Sequence, residues 1–271
     1  MSKTILITGA SSGIGKATVN LFQSKGWNVI ATMRKPEADT ELNTLPHVLL
    51  TRLDVLDLQS IHNAVAEGIR KFGRIDAILN NAGYGAFGTI ESFSREKIVR
   101  QFDTNVIGLL DVTKALLPHF RQNKGGVIIN ISSIGGKMTF PLGALYHGTK
   151  FAVEGISEAL SYEVAEFNGK VKIIEPGAIA TDFAGRSLDF SHDETHTEYQ
   201  RIVGNVLTGM PAFFANASPA GVVAEVIYTA ATDGSNRLRY TAGEDAKAIL
   251  AGRRQADDES FIQGIKTQFG L

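Results

Sequence analysis

A doubly wound α/β fold is what this sequence predicts, with a mostly parallel seven-stranded sheet and helices on both faces. Three observations carry that expectation. Short apolar runs alternate along the chain with longer segments of helical periodicity, the pattern of stacked β-α-β units. The apolar runs are hydrophobic on both sides, as strands covered on both faces are. A glycine-rich turn follows the first run and opens directly into an amphipathic segment.

Taken in order, strands are expected near residues 4–8, 27–32, 48–53, 77–80, 127–131, 171–175 and 237–240. Helices are expected around residues 14–25, 58–72, 94–102, 106–122, 149–167 and 219–231. Residues 183–217 break the rhythm with mixed charges, two histidines and scattered apolar side chains. That stretch reads as a lid inserted into a single domain spanning residues 1–271 rather than as a second domain. The acid cluster Asp257-Asp258-Glu259 reads as a solvated helix start.

Composition narrows the function classes. The 271 residues are 44% hydrophobic and 20% charged, enough for one well-filled core. Lysines and arginines number 27 against 28 acids, a net charge of -1, so no overall field would gather nucleic acid or an anionic membrane. Neither is an expected partner. Cysteine is absent, which removes disulfides, thiol nucleophiles and thiolate zinc sites and suits a reducing compartment, so the cytoplasm is the expected location. The apolar stretch after Lys3 is too short for a signal-peptide core, and no run of about 18 apolar residues predicts a membrane span. His192 and His196 stand beside acids but lack the order of the zinc-hydrolase motif, so no metal site is expected. A serine hydrolase built on Ser133 would lack the Gly-x-Ser-x-Gly elbow.

The first strand runs into Thr8-Gly9-Ala10-Ser11-Ser12-Gly13-Ile14-Gly15. Glycines there let the backbone approach a pyrophosphate, and the amides of the following helix start face it with a favourable dipole. The end of the second strand decides between coenzymes, because a carboxylate there would bind the ribose hydroxyls of NAD and repel the extra phosphate of NADP. Met33 holds that place, and Arg34 and Lys35 follow it, offering cations to a 2′-phosphate. NADP(H) is therefore preferred over NAD(H).

Tyr146 and Lys150 are four residues apart and share one face if helical. They open the helix after the fifth strand, whose end carries Ser132-Ser133, and the carboxyl ends of parallel strands form the ligand crevice. With the glycine turn, with Asp54 after the third strand, Asn80-Asn81-Ala82-Gly83 after the fourth and Pro176-Gly177 after the sixth, these residues resemble the short-chain dehydrogenase/reductase family over nearly the whole chain. The Ile174-Glu175-Pro176-Gly177 and Arg239-Tyr240-Thr241-Ala242-Gly243 stretches look similar to the branch with hydroxysteroid and retinol-type dehydrogenases.

The resemblance implies a Rossmann-type oxidoreductase with Asn105, Ser133, Tyr146 and Lys150 as the catalytic group. It implies cofactor contacts from Gly9, Ser11, Ser12, Gly13, Ile14, Gly15, Arg34, Asp54, Val55, Asn81, Ala82, Gly83, Tyr146, Lys150, Pro176, Gly177, Ile179 and Thr181. The basic residue that the family often places within the glycine turn is missing. Homodimers or homotetramers, paired through the helices at 106–122 and 149–167, are implied as well.

The residue types suit carbonyl and alcohol chemistry. A free tyrosine has a pKa of about 10, too high for a base near neutrality, and bringing it down to pH 7 takes about 4 kcal/mol. The charge of Lys150 is expected to supply this and to hold the nicotinamide ribose. Ser133 is expected to bind the substrate oxygen, and Asn105 to anchor a water that replaces the proton delivered by Tyr146. His147 is expected to line a neighbouring surface, being adjacent to Tyr146 on the helix.

Phe87, Met138, Phe140 and Leu142 near the strand ends, with Phe183, Leu188, Phe190, Tyr199, Leu207, Met210, Phe213 and Phe214 in the lid, suggest an apolar pocket and a small apolar carbonyl or alcohol substrate. The rival readings are a dinucleotide-binding sensor without turnover, which would not need Tyr146, and a sugar-nucleotide epimerase or dehydratase, whose relatives usually carry a longer C-terminal domain.

Overall fold

The computed structural model describes residues 2–183 and 185–271, the side chain of Phe213 excepted. Its strands are β1 (Thr4–Ile7), β2 (Asn28–Met33), β3 (Val48–Arg52), β4 (Ala77–Asn80), β5 (Gly85–Gly88), β6 (Gly126–Ile131), β7 (Gly169–Pro176), β8 (Ile179–Ala180), β9 (Leu188–Ser191), β10 (Ser218–Pro219) and β11 (Arg239–Ala242). The helices are α1 (Gly13–Ser24), α2 (Leu58–Phe72), α3 (Arg95–Phe102), α4 (Gly108–Gln122), α5 (Ala144–Ala165), α6 (Gln200–Phe214), α7 (Ala220–Thr232), α8 (Glu244–Gln255) and α9 (Asp258–Gln268). A π-helical turn, Asp103–Ile107, joins α3 to α4.

Seven strands form one sheet in the order β11-β7-β6-β4-β1-β2-β3, every pair of them parallel. Successive side chains on a strand point to opposite faces, and here both faces are apolar. Ile5 and Ile7 of β1, Val29 and Ala31 of β2, and Ala77 and Leu79 of β4 pack with Val19 and Phe22 of α1 and Val223 and Ile227 of α7. Leu6, Ile30 and Ile78, one residue out of phase, pack with α2, α4 and α5 through Ile61, Val65, Val112, Leu116, Leu160 and Val164. Each such side chain, fully buried, contributes about 1.5–3 kcal/mol.

The strand order reverses at β1. The chain winds outward through β2 and β3, then crosses back to β4 on the other side of β1. That reversal opens a crevice at the carboxyl ends of β1 and β4, and it is where ligands sit in doubly wound folds.

The expected strands are present, with small shifts at their ends; the last one runs two residues later than the sequence suggests. The first turn of α5 is the larger difference, beginning at Ala144 rather than at residue 149. Tyr146, His147 and Gly148 are weak helix formers, and what holds the turn is tertiary: Leu145 packs with Ala86 and Phe93. The segment 183–217 is also more ordered than its sequence suggests. β9 pairs with β5, β10 pairs with β8 at its far end, and α6 lies between. Beyond β11, α8 was not foreseen, whereas α9 starts at the acid cluster as expected, with the Asp257 carboxylate accepting from the Ser260 amide at 2.7 Å. Among the described residues, no helix is long and apolar enough to cross a membrane.

Candidate active site

The turn between β1 and α1 is built from backbone. Gly9 has φ +65°, in the left-handed region that favours glycine, and a Cβ on Gly15 would run into the carbonyl of Gly9. Helix α1 therefore starts close against β1. Ser12 occupies its N-cap position in extended conformation without capping an amide through its side chain, and no acid stands in the first turn. Those first amides keep their capacity for an anion. Instead of capping, the Ser12 hydroxyl accepts a hydrogen bond from the Arg186 guanidinium. The Asn81 side-chain amide donates to the carbonyls of Thr8 at 2.9 Å and Gly9 at 3.1 Å, tying the turn to the end of β4. Thr8 Oγ1 returns the tie by accepting from the amides of Asn81 and Ala82.

A cavity of about 730 Å³ runs along the carboxyl ends of the strands. Gly9, Ser11, Ser12, Gly13 and Ile14 line one stretch, Met33 and Arg34 the next, then Asp54 and Val55, then Asn81, Ala82 and Gly83. Ser133, Tyr146 and Lys150 follow, with Pro176, Gly177, Ile179 and Thr181 opposite. Of the catalytic and cofactor-contact residues expected from the sequence, two do not line it. Gly15 is buried beneath the turn, and Asn105 lies behind Tyr84.

Asp54 is free of the capping role its sequence position allows, because Asp57 caps α2 by accepting from the Ser60 amide at 3.1 Å. The Asp54 side chain accepts from Leu56 N and faces the cavity. Met33 is buried, so no carboxylate stands at the end of β2, and the exposed Arg34 borders the cavity directly.

At the other end, Ser133 and Tyr146 line the same wall, the Ser133 hydroxyl near enough to act on the Tyr146 phenol, and Ser133 Oγ accepts from Gly135 N at 3.0 Å. Tyr146 and Lys150 lie on one face of α5, with Lys150 Nζ 5.7 Å from the Tyr146 ring centre and donating to the Ile131 carbonyl at 2.9 Å. Here the charge balance differs from the sequence expectation. Burial pushes the Tyr146 phenol up, with the neighbouring Ser133 hydroxyl opposing, and it pushes the Lys150 ammonium down to about 8, with the charge of Glu154 opposing.

Asn105 falls in the π-helical turn, a distortion that recurs at functional sites. Its side chain grips both polar groups of the Tyr84 backbone, Nδ2 to the carbonyl at 2.8 Å and Oδ1 from the amide at 3.0 Å, and Nδ2 also reaches Thr149 Oγ1 at 3.1 Å. Both ends of its side chain are thus engaged by the protein.

The family model for short chain dehydrogenases matches residues 3–191. An uncharacterized oxidoreductase of Schizosaccharomyces pombe is 46% identical over 239 residues, 88% of this chain and 100% of that one. The chain belongs to the short-chain dehydrogenase family. Among solved structures, a short-chain dehydrogenase from Streptomyces avermitilis matches this dehydrogenase with a TM-score of 0.83 at 31% identity, over 99% of this chain and 96% of that one. The structure of ElxO with NADP bound matches with a TM-score of 0.75 at 26% identity, over 92% and 100% of the two chains.

The far part of the cavity is walled with apolar groups. Phe87, Phe140, Leu142, Phe183, Leu188, Phe190, Met210 and Phe214 line it as the sequence suggests, joined by Val206 and Phe269. Met138 packs away from it with Ile134, Ala246 and Leu250. Tyr199 donates to Glu91 at 3.1 Å, and Leu207 faces solvent. The side chain of Phe213 lies outside the described residues.

His147 is not on a neighbouring surface. It is buried at the cavity wall, where Nε2 accepts from Phe140 N at 3.0 Å and Nδ1 bonds the Gly135 carbonyl at 2.9 Å, an arrangement that places the single proton on Nδ1. Burial pushes its pKa down. Further residues at the site escaped sequence reasoning, Arg186, Phe269 and Asp245 among them. Arg186 and Phe269 reach it from remote segments with no local signal. Asp245 stands beneath Gly177 and accepts from Ala178 N at 2.7 Å; an acid just after the Gly243 turn, at a helix start, is the signal that could have marked it.

Proposed function

We propose that this dehydrogenase moves a hydride between NADP(H) and a carbonyl or secondary alcohol of a small apolar substrate, with Tyr146 as the acid and base. The observation that carries the reading is the placement of Ser133, Tyr146 and Lys150 on one cavity with the glycine turn and Arg34.

The chain fits the dinucleotide at four places. The uncapped start of α1 offers amides from Gly13 and Ile14 to the pyrophosphate, beside the hydroxyls of Ser11 and Ser12 and the guanidinium of Arg186. The end of β2 offers Arg34 and no acid to a 2′-phosphate. Asp54 and Val55 line the stretch for the adenine, and Pro176, Gly177, Ile179 and Thr181 line that for the nicotinamide, with Lys150 toward its ribose. When bound, the nicotinamide supplies or accepts the hydride. NADP bound to ElxO, a neighbour at 26% identity, supports the coenzyme reading.

Tyr146 gives its hydroxyl proton to the substrate oxygen as negative charge grows there, and takes it back in the reverse direction. Ser133 donates a hydrogen bond to the same oxygen, a contact that strengthens as the charge develops. The ammonium of Lys150 favours the tyrosinate left behind. Asn105 keeps the first turn of α5 in place by holding Thr149, whose hydroxyl donates to the Tyr146 carbonyl at 2.7 Å.

Residues 183–217 act as the lid, because Phe183, Leu188, Phe190, Met210 and Phe214 cover the apolar part of the cavity. Exposed Phe102, Ile107 and Phe151 on and beside α3, α4 and α5 favour a homodimer or homotetramer.

An NADPH-consumption screen over aldehydes, ketones and quinones, repeated with NADH, tests the reading. Turnover of apolar carbonyls with NADPH supports it. Tight NADPH binding with no turnover on any class would favour a sensor.

A further inference from the structure

Tyr146, Lys150, Glu154 and Glu158 stand four residues apart along α5, so each lies one turn beyond the last on the same face. The reaction uses the first two. Glu154 is only 4% exposed, and a carboxylate so deep requires a partner. It has one in Arg239, at the start of β11, whose Nε donates to Glu154 Oε2 at 2.8 Å. The same guanidinium bonds Glu158 Oε2 at 2.5 Å and stands 3.7 Å from Oε1 of Glu175, which is 1% exposed and directly precedes Pro176-Gly177.

This cluster backs onto the proton-handling end of the cavity. Ser132 Oγ, Glu154 Cγ and the Lys150 carbonyl oxygen all lie within 3.0 Å of the point that a Cβ on Gly136 would occupy. Ser132 Oγ, Glu154 Oε1 and Glu175 Oε1 are buried there without a hydrogen-bond partner.

The charges sort themselves by distance. Glu154 holds the guanidinium closely. Burial and the charge of Glu154 push Glu175 up, while Thr241 donates to its Oε2 at 3.1 Å. Lys150 and Arg239 thus stand among three carboxyl groups, those of Glu154, Glu158 and Glu175. Lys137, from the turn after β6, is the other charge acting on Glu175 and Glu158, and His147 on α5 is neutral.

We propose that Glu154, pinned by Arg239, is the buried counter-ion of Lys150 and thereby a positioning residue for proton handling at Tyr146. The proposal rests on the roles assigned to Lys150 and Tyr146 above. The bond from Lys150 to the Ile131 carbonyl cannot set the charge, since a neutral amine donates there equally well. Burial alone drives the ammonium toward the neutral form, and the anion one turn away opposes it.

The test reads Lys150 itself and needs no nucleotide. The rate at which acetic anhydride labels Lys150, followed by peptide mass spectrometry across pH, reports where the amine loses its proton. The wild-type midpoint is expected near pH 8. In Glu154→Gln it is expected to fall by about one pH unit, the usual effect of losing a close opposite charge, and Glu154→Asp should restore most of it. Should Glu154→Gln melt below the assay temperature, Arg239→Met tests the same link from the other side, because it leaves the Glu154 carboxylate to Lys150 alone and is expected to raise the midpoint. An unchanged midpoint in either folded variant overturns the proposal. A shifted midpoint in a protein that binds no NADPH would uphold the counter-ion and sink the coenzyme reading instead.

Discussion

Ser133, on the turn after β6, and Tyr146, in the first turn of α5, line the same cavity wall, with the Ser133 hydroxyl near the Tyr146 phenol. In that position Ser133 can bond a substrate oxygen only where Tyr146 can also reach it. Ser133→Ala is expected to lower kcat by about 10²–10³-fold, the usual loss for one donor to a developing oxyanion, with NADPH affinity nearly unchanged. Steady-state kinetics beside fluorescence titration of NADPH separate the two. Equal losses in binding and turnover would assign Ser133 to the cofactor.

Arg34 borders the cavity at the end of a strand that carries no acid. Hydrogen bonds to charged groups contribute about 1.5–3 kcal/mol, so Arg34→Ala should weaken NADPH by about 10- to 100-fold and leave NADH almost unaffected. Dissociation constants for both coenzymes check it; losses of the same size would remove the 2′-phosphate contact.

Arg186 brings a guanidinium to Ser12 from the far side of the cavity. It thus stands where the glycine turn itself has no basic residue. Because it is exposed, its contribution is that of a solvated ion pair, about 0.2–1 kcal/mol. Arg186→Ala should therefore weaken NADPH and NADH alike by about two- to fivefold, and a change confined to NADPH would place it on the 2′-phosphate instead.

Burial holds His147 below the ordinary histidine range, so the folded state excludes a proton that the unfolded chain accepts. The resulting stability is complete above pH of about 6.5 and is lost as the pH falls from there through the folded pKa. His119, half-buried with Nε2 accepting from Ile75 N, acts in the same direction. Urea midpoints at pH 5 and 7.5 should show this loss, and His147→Gln should reduce the pH dependence while costing about 1–3 kcal/mol for the unpaired Gly135 and Phe140 groups. A variant as pH-sensitive as the wild type would exclude His147 as a source.

Where burial and spacing act locally, the fold was readable. Strands with apolar residues on both faces announce a covered parallel sheet, and Gly9, Gly13 and Gly15 announce the turn because a side chain at Gly15 has nowhere to go. The Tyr146 and Lys150 spacing placed both on one face before any coordinate was known. What escaped depends on contacts between distant residues. The start of α5 relies on Leu145 finding Ala86 and Phe93, against the weak helix preference of the turn itself. Arg186, Asp245 and Phe269 reach the site only through tertiary folding. The balance at Tyr146 differs from the expectation for a related reason: spacing reveals that Lys150 is near, but not that burial acts on each of the two groups.

Tyr146→Phe is the most direct trial of the acid-base assignment. It removes one oxygen and leaves the ring against Phe87 and Phe183. NADPH should bind within about threefold of wild type, while carbonyl reduction falls by at least the 10²–10⁴-fold typical of general acid-base catalysis. Reduction at a rate close to wild type would contradict the assignment.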